Sequence, residues 1–220
     1  MELEVVILAA GRGARMQSDL PKVLHPLAGQ PLIRHVLKTA GLLNPSTLHV
    51  VVGHGAEEVK SACADIPVNW VVQKEQLGTG HAVLQALPQI NSASRVLVLY
   101  GDVPLISEET LRQLIDKAGN GSAVLTAKID NPAGYGRVIR DESGYFERVV
   151  EDKDATTRER EVDEINTGVL VASADYLNTY LPSVTSDNEQ GEYYLPDILS
   201  QLVKDKQQIF TVSASPQEIL

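Results

Sequence analysis

The chain is short of several things, and each shortage excludes a class of protein. Its 220 residues include a single cysteine, Cys63, so neither an intramolecular disulfide nor a thiolate metal cluster is available. Cations are outnumbered, 19 Lys and Arg against 29 Asp and Glu for a formal charge of −10, which is the wrong balance for a nucleic-acid binder. No apolar run approaches the ~18 residues that cross a bilayer, which argues against membrane insertion. The opening MELEVVILAAGRG puts acids before its apolar stretch and a polar loop directly after it, which does not suit a secretory signal. What remains is ordinary globular composition, 43% hydrophobic and 22% charged. The expectation is a soluble, cytoplasmic α/β protein with one domain over residues 1–220.

Charge is unevenly spread. Between Asp141 and Glu164 ten acids face four cations, which reads as a solvated acidic surface. From Val5 to His35 the balance reverses, with Arg12, Arg15, Lys22 and Arg34 facing only Asp19. A locally basic, glycine-containing segment in an acidic chain suggests a small anionic ligand.

Apolar runs of strand length alternate with segments of helical period. Val5–Ala9 is continuously apolar, as a parallel strand buried on both faces requires. Pro31 can open a helix in which Leu32, Ile33, Val36, Leu37 and Ala40 recur at helical spacing. Strands are predicted at Leu48–Val52, Asn69–Gln73, Arg95–Tyr100 and Ala123–Lys128, with helices at Ala56–Ala64 and Thr79–Leu87. A further helix follows Ser107, which can cap it, with Glu108 and Glu109 in its first turn. In the second half, Arg137–Arg140 and Phe146–Glu151 flank the turn-like Asp141-Glu142-Ser143-Gly144 and predict a hairpin. A strand at Gly168–Ala172, helices at Ala174–Tyr180 and Leu195–Lys204, and a last strand at Gln208–Val212 complete the reading. The order predicts a Rossmann-like, doubly wound, mostly parallel sheet with a β-hairpin subregion laid over it.

Three motifs carry chemistry. The first is Leu8-Ala9-Ala10-Gly11-Arg12-Gly13-Ala14-Arg15-Met16, followed by Pro21-Lys22-Val23-Leu24. Small residues let backbone N–H groups approach a phosphate or a base edge, and the cations neutralise a polyphosphate. It is not a dinucleotide fingerprint, because Met16 stands where a third glycine belongs, and not a Walker A loop, because Gly-Lys-Ser/Thr is missing. The second is Tyr100-Gly101-Asp102-Val103-Pro104-Leu105, where an apolar strand delivers Asp102 just past its carboxyl end. A lone carboxylate beside a phosphate loop suits Mg²⁺, which keeps phosphate and water ligands. The third is Gln73 followed by Gly78-Thr79-Gly80-His81: an amide able to read a pyrimidine edge, then the start of a helix. By contrast, the five histidines are too scattered for a spacing-based metal site; His35 reads as packed or exposed, Cys63 as an inert packing thiol and Trp70 as core.

Together these motifs resemble the sugar-phosphate nucleotidyltransferases, and within them the bacterial N-acetylglucosamine-1-phosphate uridylyltransferases. Gly134-Tyr135-Gly136-Arg137-Val138, Val150-Glu151, Glu164-Ile165-Asn166-Thr167-Gly168 and Gly191-Glu192-Tyr193-Tyr194 resemble that family in the same order. The resemblance implies the nucleotide-diphospho-sugar transferase fold and the reaction of UTP with N-acetylglucosamine 1-phosphate, giving UDP-N-acetylglucosamine and pyrophosphate. It also implies roles. Leu8, Ala9, Ala10 and Gly11 would line the nucleotide, with Gln73 and Gly78 recognising uracil. Arg15 and Lys22 would contact phosphates, and Asp102 would hold Mg²⁺. Gly136, Glu151 and Asn166 would bind the N-acetylglucosamine moiety, with Thr79, Tyr100 and Gly101 completing the pocket. Relatives carry a second metal-binding Asn just beyond the position of Leu220 and continue into an acetyl-transferring β-helix. The chain therefore reads as the uridylyltransferase portion of a longer protein, itself monomeric where the longer protein would be a homotrimer.

Overall fold

The computed structural model describes residues 1–11, 13, 18 and 20–219, so Arg15 of the first motif lies outside the described residues. The first half runs β1 (Leu3–Ala9), β2 (Pro26–Leu27), β3 (Gln30–Pro31), α1 (Leu32–Leu42), β4 (Thr47–Val52), α2 (Ala56–Ala62), β5 (Asn69–Val72), α3 (Thr79–Ala86), β6 (Arg95–Tyr100), α4 (Glu108–Ala118) and β7 (Ser122–Lys128). The second adds β8 (Arg137–Arg140), β9 (Phe146–Val150), α5 (Thr157–Arg160), β10 (Glu164–Ser173), α6 (Ala174–Tyr180), α7 (Asp197–Lys204), β11 (Ile209–Ala214) and α8 (Pro216–Ile219).

The central sheet has the order β11-β7-β10-β6-β1-β4-β5, with the hairpin β8–β9 attached through β10. Strands β6, β1, β4 and β5 are mutually parallel, as are β11 and β7. Strand β10 enters antiparallel to both β6 and β7. The apolar runs are buried on both faces, as expected of parallel strands. Val5, Ile7 and Ala9 of β1 face a core with α1, α2 and α4, while Val6 and Leu8 face a second core with α3, α6 and α7. Helices therefore cover both sides, and the mostly parallel, doubly wound reading holds.

Local chemistry explains the element ends. The Ser107 hydroxyl accepts the Thr110 N–H at 3.2 Å and caps α4, as its sequence predicts. Helix α7 starts at Asp197 rather than Leu195 because Pro196 occupies its cap. The two-residue strands β2 and β3 and the one-turn α5 are too short for hydrophobic periodicity to reveal. His35 is used structurally, its Nε2 2.8 Å from the Leu27 carbonyl oxygen. Cys63 is fully buried, and burial raises its thiol pKa, which suits an inert packing thiol. No helix among the described residues is long and apolar enough to cross a membrane.

Chain direction reverses its march across the sheet at β1: β4 and β5 lie on one side of it, β6 on the other. Such a switch point leaves a crevice outside the carboxyl ends of the two neighbouring strands. The first motif leaves β1 and the second leaves β6 into that crevice.

Candidate active site

Two cavities open there and share a wall. The larger, about 860 Å³, is lined by Leu8, Ala9, Ala10, Gly11, Lys22, Gln73, Gly78 and Asp102, among others. The smaller, about 650 Å³, is lined by Gly136, Glu151 and Asn166, with Asp152 and Lys153 beside them. Thr79, Tyr100 and Glu192 line both. The structure thus gathers the predicted residues into one continuous site, apart from Arg15 and from Gly101, which lies behind the wall with its N–H donating to the Leu8 carbonyl at 2.9 Å.

In the larger cavity, Lys22 reaches across to Asp102, Nζ to Oδ2 at 2.5 Å. The Asp102 side chain is 21% exposed, so it is neither sealed in the core nor freely solvated. Among the described residues no group of three His, Cys, Asp or Glu side chains could hold a metal. Asp102, just past the end of β6, is therefore not part of an all-protein cage among the described residues, and a lone carboxylate there fits a divalent cation shared with phosphate oxygens. Gln73 sits one residue past β5 and is 3% exposed. Its Nε2 donates to the Gly78 carbonyl at 3.1 Å and lies 3.0 Å from His81 Nδ1. With the amide nitrogen held in this way, the carbonyl oxygen is the end left to meet a ligand donor.

The glycines at 78 and 80 have a structural reason that sequence reading missed. Residues 77–80 run against the segment around Tyr193. Gly80 donates to the Tyr193 carbonyl and Tyr193 to the Leu77 carbonyl, both at 2.8 Å, while Leu195 N–H donates to Thr79 Oγ1 at 3.0 Å. Gly78 has φ +114°, and a Cβ there would stand 2.6 Å from the Tyr193 carbonyl oxygen. The Gly80 N–H, expected to face a ligand, is spent on this crossing. The same crossing brings in Glu192, whose Gly-Glu-Tyr-Tyr motif was visible in the sequence but carried no assigned role.

The smaller cavity is built from the hairpin and a bulge. Pairing between β10 and β7 shifts between Asn166 and Leu170, which takes Thr167 and Gly168 off the ladder. Gly168 has φ +85°, and a Cβ there would strike the Tyr100 ring at 2.5 Å, so the bulge needs glycine to admit the tyrosine. Burial pushes the Tyr100 phenol pKa well up, opposed by its hydrogen bond with Thr79. Burial also raises the Glu151 carboxyl pKa to about 6, reinforced by the charges of Asp197, Asp154, Glu192 and Asp152. Asp197 is likewise raised to about 6, by burial and then by Asp154. The smaller cavity thus sets Glu151, Asp152 and Glu192 against Lys153, where the larger mixes Lys22 and Lys74 with Glu75, Asp102 and Glu192.

A strand-end crevice at a switch point, a small-residue loop with a lysine, and an adjoining polar pocket define a nucleotidyltransferase. The chain belongs to the MobA-like NTP transferase domain family, whose pattern matches residues 5–163. It is 57% identical over 196 residues to the bifunctional protein GlmU of Halorhodospira halophila, covering 89% of this chain and 41% of that protein. It is 51% identical over 217 residues to the GlmU of Paraburkholderia phymatum, covering 98% and 48%. The chain therefore spans less than half the length of these curated relatives. Among solved structures, a nucleotidyl transferase from Methanothermobacter matches with a TM-score of 0.69 at 25% identity, over 99% of this chain and 90% of that one. A UDP-glucose pyrophosphorylase complexed with UDP-glucose shares the fold, with a TM-score of 0.78 at 18% identity over 96% and 91% of the two chains.

Proposed function

We propose that the chain is a uridylyltransferase, joining UTP and N-acetylglucosamine 1-phosphate into UDP-N-acetylglucosamine with release of pyrophosphate. The observation that carries this reading is the pair of cavities sharing Thr79, Tyr100 and Glu192, one beside Lys22 and Asp102, the other beside Gly136, Glu151 and Asn166. A nucleoside triphosphate in the first and a sugar phosphate reaching from the second would meet at the shared wall. The GlmU relatives support the choice of sugar and base. The relatives are named bifunctional and this chain covers less than half of each, which supports a second activity in a longer protein. To that longer protein we assign acetyl transfer and a trimer, and to this domain by itself a monomer.

The sugar phosphate is already an anionic nucleophile, so an in-line attack on the α-phosphorus needs no general base. The work of the residues is to hold two anions together and to neutralise the charge that moves onto the leaving pyrophosphate. Lys22 would turn from Asp102 to the phosphates when the nucleotide enters, aided by Arg15 from the same basic segment. Asp102 would hold Mg²⁺, whose contribution when bound is positive charge at the phosphate oxygens. Leu8, Ala9, Ala10 and Gly11 would pack the nucleoside, and the Gln73 carbonyl would accept the N3–H of uracil, with Gly78 beside it. Asn166, Glu151 and the Gly136 backbone would take the sugar hydroxyls and acetamido group, with Thr79 and Tyr100 forming the partition between the lobes and Gly101 backing it from behind.

Pyrophosphate release from a panel of nucleoside triphosphates and sugar phosphates tests the reading. UTP with N-acetylglucosamine 1-phosphate should be the fastest pair. A faster pair would reassign the substrates, and UTP binding by calorimetry without any turnover would make the chain a binding module.

A further inference from the structure

Arg137 does not line either cavity, yet it is the largest fully buried side chain among the described residues, 2% exposed. Removing a guanidinium from water costs several kcal/mol, and an apolar residue would fill the same space without that penalty. Its hydrogen bonds explain the choice. The guanidinium donates to the Tyr135 carbonyl oxygen and, through Nη2, to Asp152 Oδ1 at 2.9 Å. Tyr135 precedes Gly136, and Asp152 follows Glu151.

The sheet register sharpens this. Arg137 is opposite Val150 in β9 and Ile165 in β10. Each member of that cross-strand triple is the immediate chain neighbour of one smaller-cavity residue: Gly136, Glu151 and Asn166. These three are in turn packed on one another. A Cβ on Gly136 would stand 3.0 Å from Glu151 Oε1, and Asn166 N–H donates to the Gly136 carbonyl at 2.8 Å. An error in the placement of one strand end would therefore be passed to all three.

We propose that Arg137 is a positioning residue for the sugar half of the site, tying the Tyr135 backbone carbonyl to the Asp152 carboxylate so that Gly136, Glu151 and Asn166 converge. This rests on the uridylyltransferase reading and adds to it a residue that acts without touching substrate. Its planar fork reaches two acceptors at once, which a lysine cannot reproduce.

The test compares UTP with UDP-N-acetylglucosamine by calorimetry, and the KM of each substrate in turnover, for wild type, R137M, R137K and D152N. R137M should weaken UDP-N-acetylglucosamine and raise the KM of the sugar phosphate by about tenfold or more, the loss of a charged buried contact. UTP affinity should stay within about twofold, and R137K should recover only part of the loss. D152N keeps the shape at a position 31% exposed and should give a smaller defect in the same direction. Because Asp152 also lines the smaller cavity, the R137K–D152N double variant should lose little beyond the larger single loss, so the proposal stands or falls even if R137M does not fold. Equal losses for UTP and the sugar ligand, wild-type sugar affinity in R137M or, where R137M does not fold, in D152N, or fully additive losses in the double variant would overturn the positioning role. Wild-type protein that binds UTP but neither sugar ligand would instead overturn the functional reading beneath it.

Discussion

The two cavities share a wall but are assembled in different ways. The larger takes its surface from loops that leave parallel strands: the small residues after β1, Asp102 after β6 and Gln73 after β5. Each of those loops is contiguous in sequence and brings small residues and backbone groups to the cavity, with Lys22 and Lys74 as cations and Asp102 and Glu75 as acids. The smaller cavity takes short runs from three places brought together by antiparallel pairing: the approach to β8, the end of β9 and the bulge in β10, with the segment around Glu192 closing it. Its chemistry is carried by side chains, and its charge is negative. A phosphate-handling surface needs donors and flat approach, which a strand-end loop supplies by itself. A sugar-handling surface needs acceptors at several angles, which only converging strands provide.

The sharpest test of that contrast is Asp102→Asn. The fold should persist while turnover at limiting Mg²⁺ drops by roughly 10²–10³, the scale of a lost preorganised electrostatic contact. Near wild-type rates would remove the metal from Asp102. Lys22→Ala comes next, with kcat/KM for UTP lower by ~1–3 kcal/mol. Because Lys22 Nζ lies 2.5 Å from Asp102 in the free protein, the same variant should also leave Asp102 more available to Mg²⁺. A Mg²⁺ titration of the nucleotide-free variant that superimposes on wild type would show that the pair does not compete with the ion.

Glu151→Gln probes the other lobe through stability. Folded Glu151 titrates at about 6 against 4.5 when unfolded, so the folded state binds more protons between those values. Stability is therefore lost as pH rises through that window, and the penalty is complete above about 6. Replacing the acid by its amide should stabilise the fold at pH 8 by ~1–2 kcal/mol and change little at pH 4, as read by urea unfolding. The variant should also weaken the sugar ligand while sparing UTP. Loss of UTP affinity instead would mean that the two lobes are not separable.

The smallest effect is expected at Gln73. Its amide nitrogen is taken up by Gly78 and lies beside His81, so the free carbonyl favours a base with a ring N–H. Gln73→Ala should cost UTP ~0.5–1.5 kcal/mol, the worth of one neutral hydrogen bond, and CTP less. An unchanged UTP/CTP ratio of kcat/KM would move base reading elsewhere.

Much of this could be read along the chain, and the particular residues show why. Val5–Ala9 announced a doubly buried strand because burial on both faces leaves a continuous apolar run. Ser107 announced its helix because a cap is a bond to a backbone N–H three residues away. Asp102 stood out because its strand was unmistakable and its carboxylate followed directly. Glu192 and Arg137 gave no such signal. Their roles depend on partners at a distance along the chain, Leu77–Gly80 for the segment around Glu192, and Val150, Asp152 and Ile165 for Arg137. Gly78 and Gly80 looked like ligand-approach glycines, and the structure adds the backbone crossing at Tyr193 that excludes a Cβ.

The sequence by itself determined the strands and helices of the α/β frame, the phosphate-loop composition and the identity of most lining residues, because each depends on a few neighbouring positions. Only the tertiary structure decided that β10 runs antiparallel between β6 and β7, and that its bulge sets Gly168 against Tyr100. Only there do Lys22 and Asp102 meet, the Glu151 carboxyl acquire its acidic neighbours, and the buried Arg137 guanidinium find the Asp152 carboxylate. Those are matters of distance between residues remote in the chain. Burial and Coulomb energy depend on that distance, and the order of residues does not state it.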